Sequence, residues 1–151
     1  QLSNQIARRL GFSESRLERL HFAALLHDVG MLRVDPSQVG NREATRRHAE
    51  YGAEMLKPIK LWEDLAPIVR HHHEWVDGSG YPDGLRGESI PLESRIIAVA
   101  ETFDALTSEQ SYQRPIPVDE ALGRIEAGSG RQFDANVVGA FRAARAESSP
   151  Q

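Results

Sequence analysis

Residues 71–82 read HHHEWVDGSGYP: three consecutive histidines and a glutamate running into a segment with two glycines, a tyrosine and a proline. The run is internal and leads into a specific turn sequence, so it does not read as an affinity tag. Histidine supplies neutral nitrogen ligands to borderline metals, and glycine lets backbone bend close to a ligand. The stretch therefore predicts a metal site with a substrate loop beside it, and it requires further ligands from elsewhere in the chain.

The whole chain narrows what those ligands are. With 151 residues, 40% hydrophobic and 26% charged, it fits one domain around a single core, residues 1–147, with a disordered tail at 148–151. No apolar run approaches the roughly 20 residues that cross a bilayer, and no signal-like start is present, so direct membrane insertion is not expected. Cysteine is absent, which excludes disulfides and thiolate metal sites and fits a reducing cytoplasm. Any metal must take nitrogen and oxygen ligands. The formal net charge of -4 speaks against a nucleic-acid polymer as partner, while leaving room for a small anion in a local positive pocket. The chain begins with Gln1, not Met, and reads as a piece of a longer protein whose first helix is cut.

The dominant period is helical. Residues 5–10 read as the end of a helix closed by Gly11, and Ser13 caps a second that runs to about Asp28 and stops near Gly30. Further helices are expected over 41–56, 61–73, 92–107, 118–126 and 135–146, with a Gly/Pro-rich loop at 77–91. Nothing alternates as a strand.

On these elements, His27 and Asp28 sit side by side at a helix end, after an apolar run that should seat that end in the core. His48 lies on the third helix, and His72 and His73 end the fourth. Glu101 falls in the apolar run AVAETFDAL, where an ionised carboxylate is costly unless paired or bound to a cation; Asp104 follows one turn later. Singly, each has an ordinary reading: His48, His21 and His71 as solvated histidines, Glu101 as a partner of Arg95. Together, nitrogen and oxygen ligands from four helices resemble the way di-metal centres are assembled in helical bundles. Two metals can clamp a phosphate and activate water, so phosphoester hydrolysis is the chemistry that fits.

The segments HD at 27–28, HAEYG at 48–52, HHE at 72–74, DGSGYP at 77–82, LRGESIPLESRIIAVAETFDALTS and GRQFD resemble the HD-GYP family of the HD phosphohydrolase group, in order and over essentially the whole chain. The resemblance implies an all-α HD-domain helical bundle with an irregular GYP loop between helices. It implies a bacterial, metal-dependent phosphodiesterase that hydrolyses cyclic di-GMP to pGpG and in some cases GMP. It implies two transition-metal ions, iron first, with manganese, zinc or nickel as other options. On the matching positions, the metal ligands are His27, Asp28, His48, His72, His73 and Glu101, with Asp28 bridging. Asp28, His27 and Asp104 are the catalytic candidates, and Tyr81, Asp104 and Arg114 the substrate contacts. GGDEF-type domains would dock on the GYP loop, and a homodimer is admitted.

The chain also departs from the family pattern. Met31 stands where the family has the lysine of HDxGK, Glu101 where it has aspartate, and Gln110 and Gln113 where it has the two arginines of RPYR. The family's first histidine ligand falls upstream of Gln1. Charge-assisted phosphate contacts are thus missing at three positions, with Arg114 next door as a partial substitute. Two functions follow: a cyclic di-GMP phosphodiesterase, or a degenerate HD-GYP module acting as a cyclic-dinucleotide sensor or protein-interaction domain.

Overall fold

The computed structural model describes residues 1–111 and 113–148. Eight α-helices occur among them: α1 (Leu2–Arg9), α2 (Glu14–Leu26), α3 (Arg42–Arg46), α4 (His48–Leu56), α5 (Ala66–Arg70), α6 (Leu92–Thr107), α7 (Val118–Ala127) and α8 (Ala135–Ser148). Short 3-10 turns at Val29–Arg33, Pro36–Gln38, Glu63–Leu65 and Gly87–Ser89 connect them. Two isolated bridges, Asp77 to Arg86 and Ser129 to Phe133, are the only β pairings among the described residues. The all-α expectation holds.

Local chemistry sets the helix ends. Gly11 takes a φ of +82°, a left-handed conformation that closes α1 at little cost for a residue without Cβ. The Ser13 hydroxyl accepts from Arg16 N at 3.3 Å to start α2, and Asn41 Oδ1 accepts from Glu43 N at 3.0 Å and Ala44 N at 3.2 Å to start α3. Beyond α2 the chain tightens into the 3-10 turn at Val29–Arg33, which packs on α4. Gly30 makes that contact feasible: a Cβ there would stand 1.8 Å from the His48 carbonyl oxygen and 2.5 Å from Gly52 N. The HD turn and α4 are thereby locked backbone to backbone.

A single core joins Ile6, Leu20, Leu65, Val69, Ile96, Val99, Ile125, Val137 and Phe141, each essentially buried. Each large side chain among them contributes about 1.5–3 kcal/mol on burial. Around this core α1 packs on α2, α6 and α8, and α4 on α5, which fixes the ends of α2, α4, α5 and the middle of α6 against one another.

Several expected boundaries move. The helix expected over 41–56 is two helices: Arg47 N turns to the Ala44 carbonyl at 3.3 Å, and α4 starts afresh at His48. The helix expected over 61–73 is only Ala66–Arg70, because Pro67 has no N–H and is tolerated only in a first turn. His71, at φ −105° and ψ 12°, ends it, so His72 and His73 lie in the following turn and not on the helix. Leu25, expected to seat the end of α2 in the core, is 61% exposed; Leu20 and Ala23 do that instead. Of the expected tail 148–151, Ser148 belongs to α8 and 149–151 lie outside the described residues.

Candidate metal centre

Four histidines converge between the ends of α2 and α5, the start of α4 and the middle of α6. Three share one local device. The ring Nδ1 of His27 lies 2.5 Å from the Ala24 carbonyl, that of His48 2.6 Å from the Thr45 carbonyl, and that of His72 2.5 Å from the Val69 carbonyl. A carbonyl only accepts, so each Nδ1 carries a proton, and in the neutral ring each Nε2 presents a lone pair. In each case the carbonyl is three residues upstream, so the backbone turn itself orients the ring.

Those lone pairs meet. His48 Nε2 is 3.2 Å from both His72 Nε2 and His73 Nε2, and the three rings form one potential ligand group. His27, Asp28 and Glu101 form a second: His27 Nε2 is 3.2 Å from Asp28 Oδ2 and 3.1 Å from Glu101 Oε1. Asp28 joins the two groups, since its other oxygen, Oδ1, is 3.4 Å from His48 Nε2 and 3.9 Å from His72 Nε2.

The donor set passes the test for a cation. His27 Nε2 is buried with only the carboxylate oxygens of Asp28 and Glu101 beside it, so the position calls for a positive centre, a proton or a metal ion. Two bare imidazole nitrogens at 3.2 Å repel unless a positive centre lies between them, and two nitrogens each about 2.0–2.1 Å from one zinc-like ion stand at a comparable spacing. Carbonyl-anchored Nδ1–H groups are the usual outer support of histidine ligands.

The electrostatics agree. Burial opposes a charge on His27, yet the hydrogen-bonding carboxylates of Asp28 and Glu101 push its pKa up to about 11. Burial also opposes charge on Asp28, but His27 and His48 hold its carboxyl well below the usual carboxylate range. Glu101 is likewise lowered: burial works against it and His27 outweighs burial. His48 is raised, Asp28 overcoming burial, whereas His72 is pushed down to about 3 by burial and the adjacent His73, and His73 is lowered mainly by burial. Asp28 and Glu101 thus draw positive charge toward His27 and His48, while His72 and His73 reject protons and keep their nitrogens free to ligate.

Among the described residues Glu101 forms no ion pair with Arg95, contrary to the pairing considered above; Arg95 binds Asp134 at 2.8 Å and the Ile90 carbonyl at 3.0 Å. Nor are His48 and His71 solvated: His48 is buried, and His71 Nδ1 lies 3.4 Å from Glu74. His21 is half-buried and bonds Gln1, away from the cluster.

An open cleft of about 790 Å³ reaches His27, Asp28 and Glu101, and Asp104 and Gln110 are on its wall. Arg114 and Gln113 are exposed and do not line this cleft, and Met31 is half-buried in the 3-10 turn. Tyr81 stacks on His73 with centroids 5.0 Å apart and planes 17° from parallel, and burial pushes its hydroxyl pKa up to about 12.

The loop carrying Tyr81 hangs on a residue that sequence reading passed over. Glu74, 3% exposed, accepts from Asp83 N at 2.8 Å and Leu85 N at 3.1 Å, and Arg70 grips Asp83 through two bonds of 2.9 and 3.0 Å. Gly80 is obligatory at the tip: a Cβ would stand 2.3 Å from Trp75 N and 2.6 Å from the His73 carbonyl. The adjacency of Glu74 to the histidine pair was the available signal.

Comparison with known proteins agrees with this architecture. The HD domain family model matches residues 1–137. The chain is 40% identical over 152 residues to the cyclic di-GMP phosphodiesterase response regulator RpfG of Xanthomonas campestris, covering 94% of this chain and 40% of that protein. It is 37% identical over 151 residues to a cyclic di-GMP phosphodiesterase of Thermotoga maritima, covering 93% and 41%. A 3'3'-cGAMP-specific phosphodiesterase 3 of Vibrio cholerae is 37% identical over 147 residues, covering 92% and 32%. Among solved structures, a cyclic GMP-AMP specific phosphodiesterase of V. cholerae superposes with a TM-score of 0.76 at 24% identity, covering 99% of this chain and 42% of that one. An HDG"Y"P protein of Bdellovibrio bacteriovorus does so with 0.75 at 21%, covering 98% and 49%. These two likenesses concern the fold. The chain belongs to the HD domain family, and its HHE and DGSGYP segments mark the HD-GYP branch. It spans about two fifths of the length of the first two relatives.

Proposed function

We propose that this domain is a metal-dependent phosphodiesterase that hydrolyses cyclic di-GMP to pGpG and GMP in bacterial second-messenger signalling. The observation that carries the reading is Asp28 spanning two ligand groups, one oxygen toward His27 and the other toward His48 and His72. Relatives with this name support the substrate class.

His48, His72 and His73 would hold one transition-metal ion, His27, Asp28 and Glu101 a second, with iron first and manganese, zinc or nickel as alternatives. Bound there, the ions supply Lewis-acid charge to a phosphate and an activated water for attack on phosphorus. The protein's own residues do the rest. Backbone carbonyls hold three imidazoles with Nε2 aimed inward, Tyr81 fixes the His73 ring, and Glu74 holds the Tyr81 loop in place. Asp104, on the cleft wall one turn beyond Glu101, would take part in proton transfer to the departing 3′ oxygen. Arg114, exposed and off the cleft wall, would be a further cation for a substrate phosphate. The domain would act in the cytoplasm, with GGDEF-type domains docking on the GYP loop and a homodimer as its assembly; among the described residues no helix is long and apolar enough to cross a membrane.

Met31, Gln110 and Gln113 favour a second reading, a cyclic-dinucleotide sensor with little turnover, because each replaces a cation with a neutral side chain. Turnover separates the two. Metal-loaded protein should release pGpG or GMP from cyclic di-GMP, and Asp28→Ala should stop it. Binding without turnover after both iron and manganese reconstitution would establish the sensor.

A further inference from the structure

Arg46 ends α3 two residues before His48, and its guanidinium lies 4.8 Å from the centre of the Tyr81 ring. Tyr81 in turn stacks on His73, so one aromatic ring links this cation to the ligand cluster. Two neighbouring arginines are spent in ion pairs, Arg33 with Glu54 at 3.1 Å and Arg70 with Asp83, while Arg47 lies over a different ring, Tyr51, which is not the one stacked on His73. Arg46 is exposed and, among the described residues, forms no ion pair. A contact with an aromatic face uses the guanidinium's charge without consuming its N–H donors, which leaves a planar fork suited to a phosphate.

We infer that Arg46 binds the second, non-scissile phosphate of a cyclic dinucleotide whose first phosphate lies at the ligand cluster. The inference rests on the cyclic-dinucleotide reading of the site. A cyclic dinucleotide carries two phosphates in one small ring, so a cation displaced from the ligand cluster by one aromatic side chain is where the second charge needs an answer. It also supplies positive charge in a chain where Met31 is neutral.

The test compares wild type, Arg46→Met and Arg46→Lys, all metal-loaded, on two ligands: cyclic di-GMP, with two phosphates, and bis(p-nitrophenyl) phosphate, with one. Calorimetric affinity for cyclic di-GMP and turnover of both are measured. Arg46→Met should weaken cyclic di-GMP binding by about tenfold or more, Arg46→Lys should retain most of it, and the difference should shrink with added salt. Metal content and kcat/KM on the single-phosphate diester should stay within about twofold. Equal affinity of Arg46→Met and wild type for cyclic di-GMP would overturn the role of Arg46 while leaving the phosphodiesterase reading intact. Equal losses on both ligands would overturn it in favour of a structural role through Tyr81. Arg46-dependent binding without turnover in wild type would uphold the inference and retire the hydrolase reading. No binding of cyclic di-GMP by wild type would overturn both.

Discussion

His48 and His72 face each other Nε2 to Nε2 at 3.2 Å, although each has already committed its Nδ1 proton to a backbone carbonyl. Two acceptors in contact do not form a hydrogen bond. The pair is stable only with a positive centre beside it, supplied by a metal or by a proton forced onto one ring.

Metal should therefore stabilise the fold directly. Chelation is expected to lower the melting temperature, and saturation at about 100 times the dissociation constant to restore about 2.7 kcal/mol. Thermal melts with and without chelator check this. His72→Ala with His73→Ala should abolish most metal binding and the chelator response together.

The metal-free protein should be most stable near pH 6.5. His72, lowered to about 3, stays neutral in the fold while the unfolded chain takes a proton below 6.5, so its stability contribution is lost as pH falls from 6.5 toward 3. His27, raised to about 11, contributes stability fully present below 6.5 and lost as pH rises through 11. Melting temperature against pH should fall on both sides, and His27→Gln should flatten the alkaline side.

Glu74→Ala should destabilise the domain by about 1–3 kcal/mol for each orphaned N–H, at Asp83 and Leu85. Glu74→Gln, which keeps one acceptor, should lose less. Denaturant unfolding measures both, and metal content should persist in each variant because Glu74 directs its oxygens away from the ligand cluster.

Of the three neutral replacements, only Gln110 lines the cleft that reaches His27 and Asp28. Gln110→Arg should raise cyclic di-GMP affinity with a gain that shrinks as salt rises, and Gln113→Arg should change little. Met31→Lys should act less than Gln110→Arg, since Met31 is half-buried in its turn. Titrations at two salt concentrations distinguish them.

The sequence exposed the residues that converge in the candidate site and hid what holds them. His27, Asp28, His72 and His73 occur in short motifs, and Glu101 stands out as an acid in an apolar helix, so residue type and context sufficed. Helix 41–56 ran on in the reading because apolar spacing continues through Arg47, where only the hydrogen-bond ladder changes. The helix at 61–73 was overextended because its periodicity outweighed Pro67. Glu74 and Arg46 were missed for a different reason. One binds backbone N–H groups 9 and 11 residues on and the other meets Tyr81 through space, relations that leave no sequence pattern beyond the adjacency of Glu74 to the histidine pair.

Anomalous diffraction from a metal-loaded crystal tests the central claim most directly. The account predicts two peaks, one among His48, His72 and His73 and one among His27, Asp28 and Glu101, with Asp28 contributing an oxygen to each. No peak at either group, or metal confined to His71, Glu74 and Asp83, would contradict it.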